Sequence, residues 1–217
     1  MSDLFIFSAT KGKKEDTLLY QTSDYRDEIF FKEHNTDSLQ SLYNKAIEFS
    51  IKENIEYIVL AHDDIILENF SHERMLENFK NYDVLGVAGA AEVKLQEPAL
   101  WHLMGGGLGS DKLHGAVAHL HGKEKFMTSF GSYPHRAILL DGVFLAIKRE
   151  VFKKVRFDEK CPSKFHFYDL DYTISSHKAG FRNGVSDIYV THASPGLTNF
   201  SEEFKEGQKW FLNKWKK

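Results

Sequence analysis

Hydrophobic residues along the chain fall into short clusters whose spacing alternates between that of a strand and that of a helix. Residues 4–8 (LFIFS) and 28–32 (EIFFK) are short apolar runs, and residues 56–61 (EYIVLA) are continuously apolar. A continuous run of this kind is typical of a strand that is buried on both faces. Ahead of it, a helix-start signal at residues 35–38 (NTDS) is followed by apolar residues at helical spacing. These helical positions are Leu39, Leu42, Tyr43, Ala46, Ile47 and Ile51.

The rest of the chain continues this alternation, with a less regular stretch in its middle. The order of elements predicts an α/β fold in which a mostly parallel central sheet is flanked by helices. Gly180 is expected to end the helix that begins at Asp169. The predicted elements are helices over residues 70–79 and 169–179, strands over 84–88, 139–148 and 185–192, and loops, turns or short antiparallel strands over 105–107 and 114–125.

The composition is that of a folded, water-soluble protein and excludes several classes. Of the 217 residues, 42% are hydrophobic and 27% are charged, which rules out a disordered chain and a collagen-like repeat. No run approaches the roughly 18 apolar residues of a membrane-spanning helix. Lysines follow the first apolar run, so no signal peptide is expected. The single cysteine, Cys161, fits a reducing compartment, and the net charge of −3 argues against nucleic acid as a partner.

Residues 204–215 predict an amphipathic helix. Phe204, Trp210, Phe211 and Trp215 recur there among lysines. Packing of these rings against the body of the protein is one interpretation. Attachment to a membrane surface or to a partner protein is the other.

Residues 62–64 (HDD) are the most informative polar cluster because they follow a buried run directly. In open α/β sheets, ligands bind at the carboxyl ends of the strands. The adjacent carboxylates of Asp63 and Asp64 repel each other, and a divalent cation relieves this repulsion and can bridge a diphosphate. A turn in which an aspartate caps the next helix explains the same residues without a ligand.

Residues 165–171 (FHFYDLD) form a second polar and aromatic cluster, at the start of a predicted helix. Asp169 and Asp171 are two residues apart and therefore point about 200° apart on a helix. One of them is expected to face a pocket while the other makes a structural contact. A carboxylate among aromatic rings has a raised pKa and suits a general base, whereas stabilisation of the helix start is the alternative role.

Histidines supply the remaining candidates. His192 ends a predicted strand, where it could ligate the same metal as Asp64, although a lone histidine is more often structural. His119 and His121 have the spacing of two zinc ligands, but no further pair of ligands follows at a typical spacing. The glycines at 105–107 do not form a dinucleotide fingerprint, and the chain has no phosphate-binding P-loop.

A set of short motifs occurs in order over nearly the whole chain. They are residues 35–46 (N-x3-L-x3-YN-x-A), 60–65 (LAHDDI), 85–89 (LGVAG), 140–146 (LDGVFLA), 157–159 (FDE), 165–172 (FHFYDLDY), 179–181 (AGF) and 192–196 (HASPG). Each motif alone is weak, but the ordered set resembles the inverting, family-2-type glycosyltransferases of the GT-A fold, in particular a bacterial and viral glycosyltransferase-like subgroup. The resemblance implies one GT-A domain over residues 1–217, with a nucleotide-sugar-binding half at 1–95 and an acceptor-binding half at 96–217.

The resemblance also implies roles for the polar clusters. Asp64 would be a direct ligand of Mn²⁺ or Mg²⁺ in a DXD-type motif. In that motif, Asp63 would contact the donor and His62 would replace the usual aspartate. His192 would approach the metal or the diphosphate, and Asp169 would be the catalytic base. The resemblance further implies that Ser8, Ala9 and Glu33 cradle the nucleoside and that Asp141 and Gly142 line the donor sugar and acceptor.

The implied function is the metal-dependent transfer of a hexose from a nucleotide sugar to a hydroxyl group of a glycan or glycoconjugate, as in polysaccharide biosynthesis. A UDP-sugar is the expected donor. Asp169 would take the acceptor's proton in a single inverting displacement. Aromatic residues and a loop would assist, with Trp101, His166 and Phe167 as a platform for the acceptor sugar and residues 193–199 closing over the donor.

Two alternatives stay open at this point. One is a non-catalytic module that binds a nucleotide or a carbohydrate. The other is a metal-dependent nucleotidyltransferase or phosphohydrolase, since paired aspartates also serve phosphoryl chemistry. A cytoplasmic location is expected, with contact to the inner face of the membrane through residues 204–215. The donor base, the donor sugar and the acceptor cannot be read from these residues.

Overall fold

The computed structural model describes residues 3–104, 107–122, 124–194 and 200–216 and shows an α/β architecture built on two sheets. The strands are β1 (Leu4–Ala9), β2 (Ile29–Lys32), β3 (Tyr57–Ala61), β4 (Ile65–Leu67), β5 (Val84–Gly86), β6 (Ala88–Ala90), β7 (Leu113–His121), β8 (Glu124–Gly131), β9 (His135–Arg136), β10 (Leu139–Leu140), β11 (Phe144–Lys148), β12 (Asn183–Val185) and β13 (Val190–His192). The helices are α1 (Leu18–Thr22), α2 (Leu39–Lys52), α3 (His72–Phe79), α4 (Trp101–Met104), α5 (Arg149–Phe152), α6 (Tyr168–Lys178) and α7 (Glu202–Trp215), with short 3-10 helices at Lys14–Asp16 and Pro98–Leu100.

The larger sheet contains, in the described part of the chain, seven strands in the order β2-β1-β3-β11-β5-β12-β9. β1 pairs in parallel with β2 and β3, and β5 pairs in parallel with β12. β11 and β9 run antiparallel to their neighbours. Among these described strands, five of seven therefore share one direction, as the predicted mostly parallel sheet requires.

Both faces of this sheet are buried. Val59 and Phe144 belong to a hydrophobic cluster that also contains residues of the second sheet, whereas Leu60 and Leu145 enter the cluster under α2 and α6. This burial on two sides explains why β3 is apolar throughout. The side chain of Ser38 accepts a hydrogen bond from the Ser41 N–H at the start of α2, in agreement with the helix-start signal.

The smaller sheet has the strand order β10-β6-β7-β13-β4, and β8 pairs with β7 in a long antiparallel hairpin. This hairpin is more extended than the loops or short strands predicted for residues 114–125. Two other predicted features, the loop at 105–107 and the closing loop at 193–199, lie in part outside the described residues, which omit 105, 106 and 195–199.

The chain passes between the two sheets through several short segments. We call four of them the crossings: in chain order, residues 62–64, Val87, 141–143 and 186–189. Residues 132–134 and 137–138 also join strands of different sheets, on either side of β9. The prediction of single strands over 84–88, 139–148 and 185–192 is therefore wrong, because each run breaks at a crossing into two strands of different sheets. At Val87, which is 1% exposed, hydrophobicity does not reveal the break because the chain stays in the core. In the other two runs, polar residues stand at the break, at Asp141 and at Asp187.

Helix α7 packs against the body of the protein. Phe204 and Phe211 are buried in the cluster that contains residues of both sheets. The Trp215 indole N–H donates a hydrogen bond of 2.9 Å to Asp171 Oδ1. Packing accounts for these aromatic residues, and membrane contact through the rest of the helix stays a prediction. None of the helices in the described ranges is long and apolar enough to cross a bilayer.

Candidate active site

The crossings bring polar side chains from distant parts of the sequence to one cavity of about 590 Å³, which we call the main cavity. The first crossing follows β3, the third precedes β11, and the first turn of α6 and the end of β13 face the same space. The site residues predicted from the sequence that line it are His62, Asp64, Asp141, Gly142, Asp169 and His192.

His62, Asp64 and His192 form a compact group of potential metal ligands. One ligand atom from each lies within 4.8 Å of the others. Asp64 Oδ1 is 3.2 Å from His192 Nε2 and 3.9 Å from His62 Nδ1. Burial lowers the pKa of His62 despite the nearby Asp64 carboxylate. Burial also acts to lower the pKa of His192, but the contact with Asp64 outweighs it and raises that pKa above its usual value.

Tyr168 fixes the orientation of the His62 ring. The Tyr168 hydroxyl donates a hydrogen bond of 3.0 Å to the Gly142 carbonyl, so its oxygen accepts the 2.8 Å hydrogen bond from His62 Nε2. The proton of the neutral His62 ring therefore lies on Nε2, and the lone pair of Nδ1 is left on the side of Asp64. This is the arrangement of a metal-ligating histidine, whose other ring nitrogen is normally held by a hydrogen bond.

Asp169 lies partly buried in the wall of the main cavity. Its Oδ2 accepts a hydrogen bond of 2.8 Å from the Gly142 N–H. Burial and the negative charge of Asp141 raise the pKa of Asp169 to about 7. Phe167, just before α6, has a φ of 68°, in the left-handed region that bulky residues rarely adopt. Strain of this kind concentrates where a fold positions functional side chains, and here it precedes Tyr168 and Asp169 directly.

Gly142 permits the close approach of the third crossing to α6. A Cβ atom at this position would lie 2.6 Å from the Cβ of Asp169 and would also overlap the Tyr168 ring. Both backbone groups of Gly142 are used, since its N–H binds Asp169 and its carbonyl binds Tyr168. A larger residue would push both side chains out of place.

Aromatic residues form one wall of the main cavity. The three predicted platform residues line it together with two further rings: Trp101, His166, Phe167, Phe165 and Phe204. Trp101 is 6% exposed and packs on Phe130 with the ring centroids 5.3 Å apart. Most of the Trp101 surface is therefore used in core packing, and its remaining edge faces the cavity.

A smaller cavity of about 300 Å³ adjoins the main cavity at the carboxyl ends of β1 and β3. The two cavities share Lys11, His62 and Phe165 in their walls. Ala9 and Asp63, both predicted to contact the donor, line the smaller one. Lys11 is a residue that sequence reasoning missed, although its position two residues after a parallel strand is a signal that could have found it.

The two other predicted nucleoside-binding residues are not among the residues lining that cavity. Ser8 is fully buried in the core. Glu33 accepts a hydrogen bond of 2.9 Å from the Lys14 backbone N–H through its carboxylate. Contact of Ser8 or Glu33 with a nucleoside stays a prediction.

Asp171 points away from the main cavity, as the helical spacing predicts for one of the two aspartates. Its carboxylate is 2% exposed and lies 2.8 Å from Lys214 Nζ. Lys214 also pairs with Asp158 at 2.7 Å, and Trp215 completes the group. Burial raises the pKa of Asp171, although Lys214 opposes this effect.

His119 is a second residue near the site whose position the sequence did not indicate. It lies opposite His192 in the parallel pairing of β7 with β13. Burial and the charge of His192 lower its pKa. Sequence spacing relates His119 only to His121. The pairing of β7 with β13 shows that its neighbour in the sheet is His192.

Comparison with known proteins gives the family. A model of the glycosyltransferase-like family matches residues 14–215. The chain belongs to that family. This confirms the resemblance carried by the ordered motifs, and family membership supports a glycosyltransferase. No curated protein sequence matches this glycosyltransferase-like chain.

Two examples from the solved structures that match this glycosyltransferase-like protein show the shared fold. A197 from STIV aligns with a TM-score of 0.53 at 15% sequence identity, over 89% of this chain and 86% of that one. TarS of S. aureus aligns with a TM-score of 0.56 at 12% identity, over 99% of this chain. The chain corresponds to 39% of the TarS chain. Likeness at these identities shows the fold, and with the family match it confirms the predicted GT-A fold class.

The residues of this glycosyltransferase-like protein fit a divalent metal, as the resemblance implies. Three ligand atoms converge around Asp64 Oδ1, which is shut off from solvent and lies 3.2 Å from His192 Nε2. A carboxylate oxygen in this position is satisfied either by the protonated imidazole or by a cation that the carboxylate and the two histidines bind together. The described residues thus contain a His–Asp–His group able to hold an ion.

Proposed function

We propose that the chain is a metal-dependent, inverting glycosyltransferase that moves a hexose from a nucleotide sugar, expected to be a UDP-sugar, to a hydroxyl group of a glycan or glycoconjugate. The observation that carries the proposal is the meeting of two chemical groups in the main cavity. One is the ligand group of His62, Asp64 and His192, and the other is the Asp169 carboxyl with its raised pKa.

Asp169 is the proposed catalytic base. Its carboxylate takes the proton from the acceptor hydroxyl as that oxygen attacks the anomeric carbon, and the bond to the diphosphate breaks in the same displacement. The Gly142 N–H holds Oδ2 at 2.8 Å and so fixes the carboxylate in the wall of the main cavity. Because burial and Asp141 raise the pKa of Asp169 to about 7, its carboxylate is a stronger base than that of an ordinary aspartate.

His62, Asp64 and His192 are the proposed metal ligands. A bound divalent ion would neutralise charge on the departing diphosphate. Two imidazoles and one carboxylate suit Mn²⁺ better than Mg²⁺, which prefers oxygen ligands. Lys11, in the walls of both cavities, adds a positive charge that attracts the diphosphate.

The smaller cavity is the proposed nucleoside site, with Ala9 and Asp63 in its wall. Ser8 and Glu33 would stabilise the wall of this site. Glu33 does so by accepting a hydrogen bond from the Lys14 backbone N–H. The aromatic wall of the main cavity would receive the acceptor sugar. Residues 1–95 would then form the donor half and residues 96–217 the acceptor half, with His192 contributed by the second half.

The proposal includes a cytoplasmic location with peripheral contact of α7 at the inner face of the membrane. Lys205 and Lys209 lie exposed on this helix and would face anionic lipid. Sedimentation with anionic vesicles tests this part. Binding by the wild type that is lost in Lys205→Glu/Lys209→Glu supports it, and no binding contradicts it.

Calorimetry of nucleotide binding tests the donor site. UDP, GDP, CDP and dTDP are titrated with and without Mn²⁺ into the wild type and into Asp64→Ala. Tight binding of one nucleotide that requires both Mn²⁺ and Asp64 supports the proposal. A folded sample that binds none of the four overturns it.

Product analysis separates the alternatives. A glycosyltransferase releases a nucleoside diphosphate from the donor, in transfer or in slow hydrolysis. A nucleotidyltransferase or phosphohydrolase would release pyrophosphate or inorganic phosphate instead. A non-catalytic module would bind the nucleotide and release nothing.

A further inference from the structure

A row of rings runs from the metal-ligand group to the exposed hairpin formed by β7 and β8. Phe126 stacks on His119 with their centroids 5.2 Å apart and their planes 27° apart. His119 lies opposite His192 in the sheet, and the His192 and His62 rings are 5.7 Å apart. We call these four residues the aromatic row.

Strand register places the outer part of the row on one face of the smaller sheet. Phe126 lies opposite His119, and His119 lies opposite His192. Residues directly opposite each other in paired strands project from the same face. Met127, the next residue of β8, lies opposite Ala118 and projects from the other face. Two strand spacings separate Phe126 from His192, a distance of roughly 10 Å.

Phe126 exposes one side of its ring to solvent. It is 54% exposed while it covers His119. The ring lies on the same face of the smaller sheet as His192, which lines the main cavity. It therefore offers a flat apolar surface to whatever extends out of that cavity. Pyranose rings present such a partner, since their C–H faces stack on aromatic rings while their hydroxyls reach polar groups such as an imidazole.

We propose that Phe126 and His119 form an outer glycan subsite, which binds a sugar unit of the acceptor that is remote from the reacting hydroxyl. The inference rests on the proposed function and names its substrate class. Because Phe126 lies roughly 10 Å from His192, farther than one sugar ring spans, the acceptor is an oligosaccharide or polysaccharide rather than a monosaccharide.

The described residues of the hairpin favour a glycan over a lipid surface. Lys125 is paired with Glu68, and Glu124 adds a negative charge two residues before Phe126. A hairpin that inserts into anionic lipid would use Met127, which is 55% exposed, as much as Phe126. The aromatic row lies on one face of the hairpin. A ligand bound along it would therefore contact Phe126 and not Met127, which projects from the other face.

Glycan binding by matched variants tests the subsite. The wild type, Phe126→Ala, Phe126→Trp and Met127→Ala are applied to an immobilised panel of oligosaccharides that includes cellohexaose, maltohexaose and chitohexaose, with glucose and N-acetylglucosamine as short probes. We expect the wild type to bind a hexasaccharide more tightly than its monosaccharide. Phe126→Ala should weaken this binding by roughly three- to tenfold, Phe126→Trp should retain it, and Met127→Ala should leave it unchanged.

Three outcomes overturn the subsite. One is equal binding by the wild type and Phe126→Ala. Another is an equal loss in Met127→Ala, together with sedimentation on vesicles of phosphatidylcholine and phosphatidylglycerol, which would assign the hairpin to a membrane. The third is a wild type that binds no oligosaccharide of the panel. Nucleotide calorimetry on the same samples keeps the proposed function separate, because loss of the outer subsite leaves nucleotide binding intact.

Discussion

Two aspartates of helix α6, two residues apart, lie in opposite surroundings. Asp171 is 2% exposed and is held by the Lys214 ammonium and the Trp215 indole. Asp169 opens onto the main cavity, where it accepts a hydrogen bond from Gly142 and lies near the negative charge of Asp141. Burial raises the pKa of both, but a cation opposes the shift at Asp171 while a like charge adds to it at Asp169.

The comparison shows that the direction of an aspartate side chain and its chemical role have different causes. Helical geometry decides that the two carboxylates point apart. The groups that they meet then decide what each can do. A cation and an indole N–H make the Asp171 carboxylate an anchor for α7. Asp169 meets backbone amides and a neighbouring carboxylate instead, and it is ready to accept a proton near neutral pH.

The largest effect is expected from Asp169→Asn. The amide oxygen still accepts from Gly142, so the fold and nucleotide binding are retained, but the base is lost and the transfer rate falls by roughly 10²–10⁴-fold. Release of nucleoside diphosphate in the presence of acceptor measures this. Asp171→Asn is the control and should lower the thermal midpoint while leaving the rate per folded molecule close to that of the wild type. Wild-type transfer by Asp169→Asn would remove the base assignment.

The anchor is tested by Lys214→Met. This change leaves the buried Asp171 carboxylate without its cation and should lower the free energy of unfolding by about 3–5 kcal/mol. Urea denaturation measures the loss. Lys205→Met removes an exposed lysine that pairs with Glu202 on the same helix, and it should change stability little. Equal losses in the two variants would show that burial of Asp171 does not matter.

Tyr168→Phe addresses the residue between the base and the metal ligands. It removes the hydroxyl that holds His62 Nε2, and the affinity for Mn²⁺ should fall by roughly 10–100-fold. Direct titration of Mn²⁺ measures this without any need for transfer. Tyr172→Phe is the matched control, because its buried hydroxyl on the same helix has no hydrogen-bond partner among the described residues. An unchanged Mn²⁺ affinity in Tyr168→Phe would contradict the role given to this hydroxyl.

The smallest effect concerns the pH profile. Asp169 must be ionised to act as a base, so the transfer rate should rise through about pH 7 and fall about tenfold for each pH unit below that pKa. Asp141→Asn removes the like charge while its side-chain oxygen can still accept from the Val143 N–H. The pKa of Asp169 should then fall, and the rise in rate should move to lower pH. A profile that does not move would mean that burial alone sets this pKa.

The sequence predicts the regular parts of the fold well. The continuous run of β3 and the helical spacing of α2 both appear close to their expected bounds, because each pattern reports burial along one uninterrupted element. The break between β5 and β6 could not be predicted in the same way. Residues 84–90 stay buried on both sides of Val87, so no polar residue marks the change of sheet.

The site follows the same rule. The clusters around Asp64 and Asp169 stand out in the sequence because polar residues there interrupt apolar or aromatic runs. The bonds of Gly142 to α6 and the position of His119 beside His192 depend on how distant segments pack. The spacing of residues within one segment of the sequence does not indicate such contacts.

The crossings also decide where the chain tolerates changes in length. Val87 alone joins β5 to β6, and three residues join β3 to β4 and β10 to β11. An inserted residue at such a point must be absorbed by shifting a strand by one position, which turns its side chains to the opposite face of the sheet. Surface turns such as residues 23–28 join no two sheets and have no such restriction. Chains of this family that keep the site should therefore keep the number of residues in each crossing, even where the residues themselves differ.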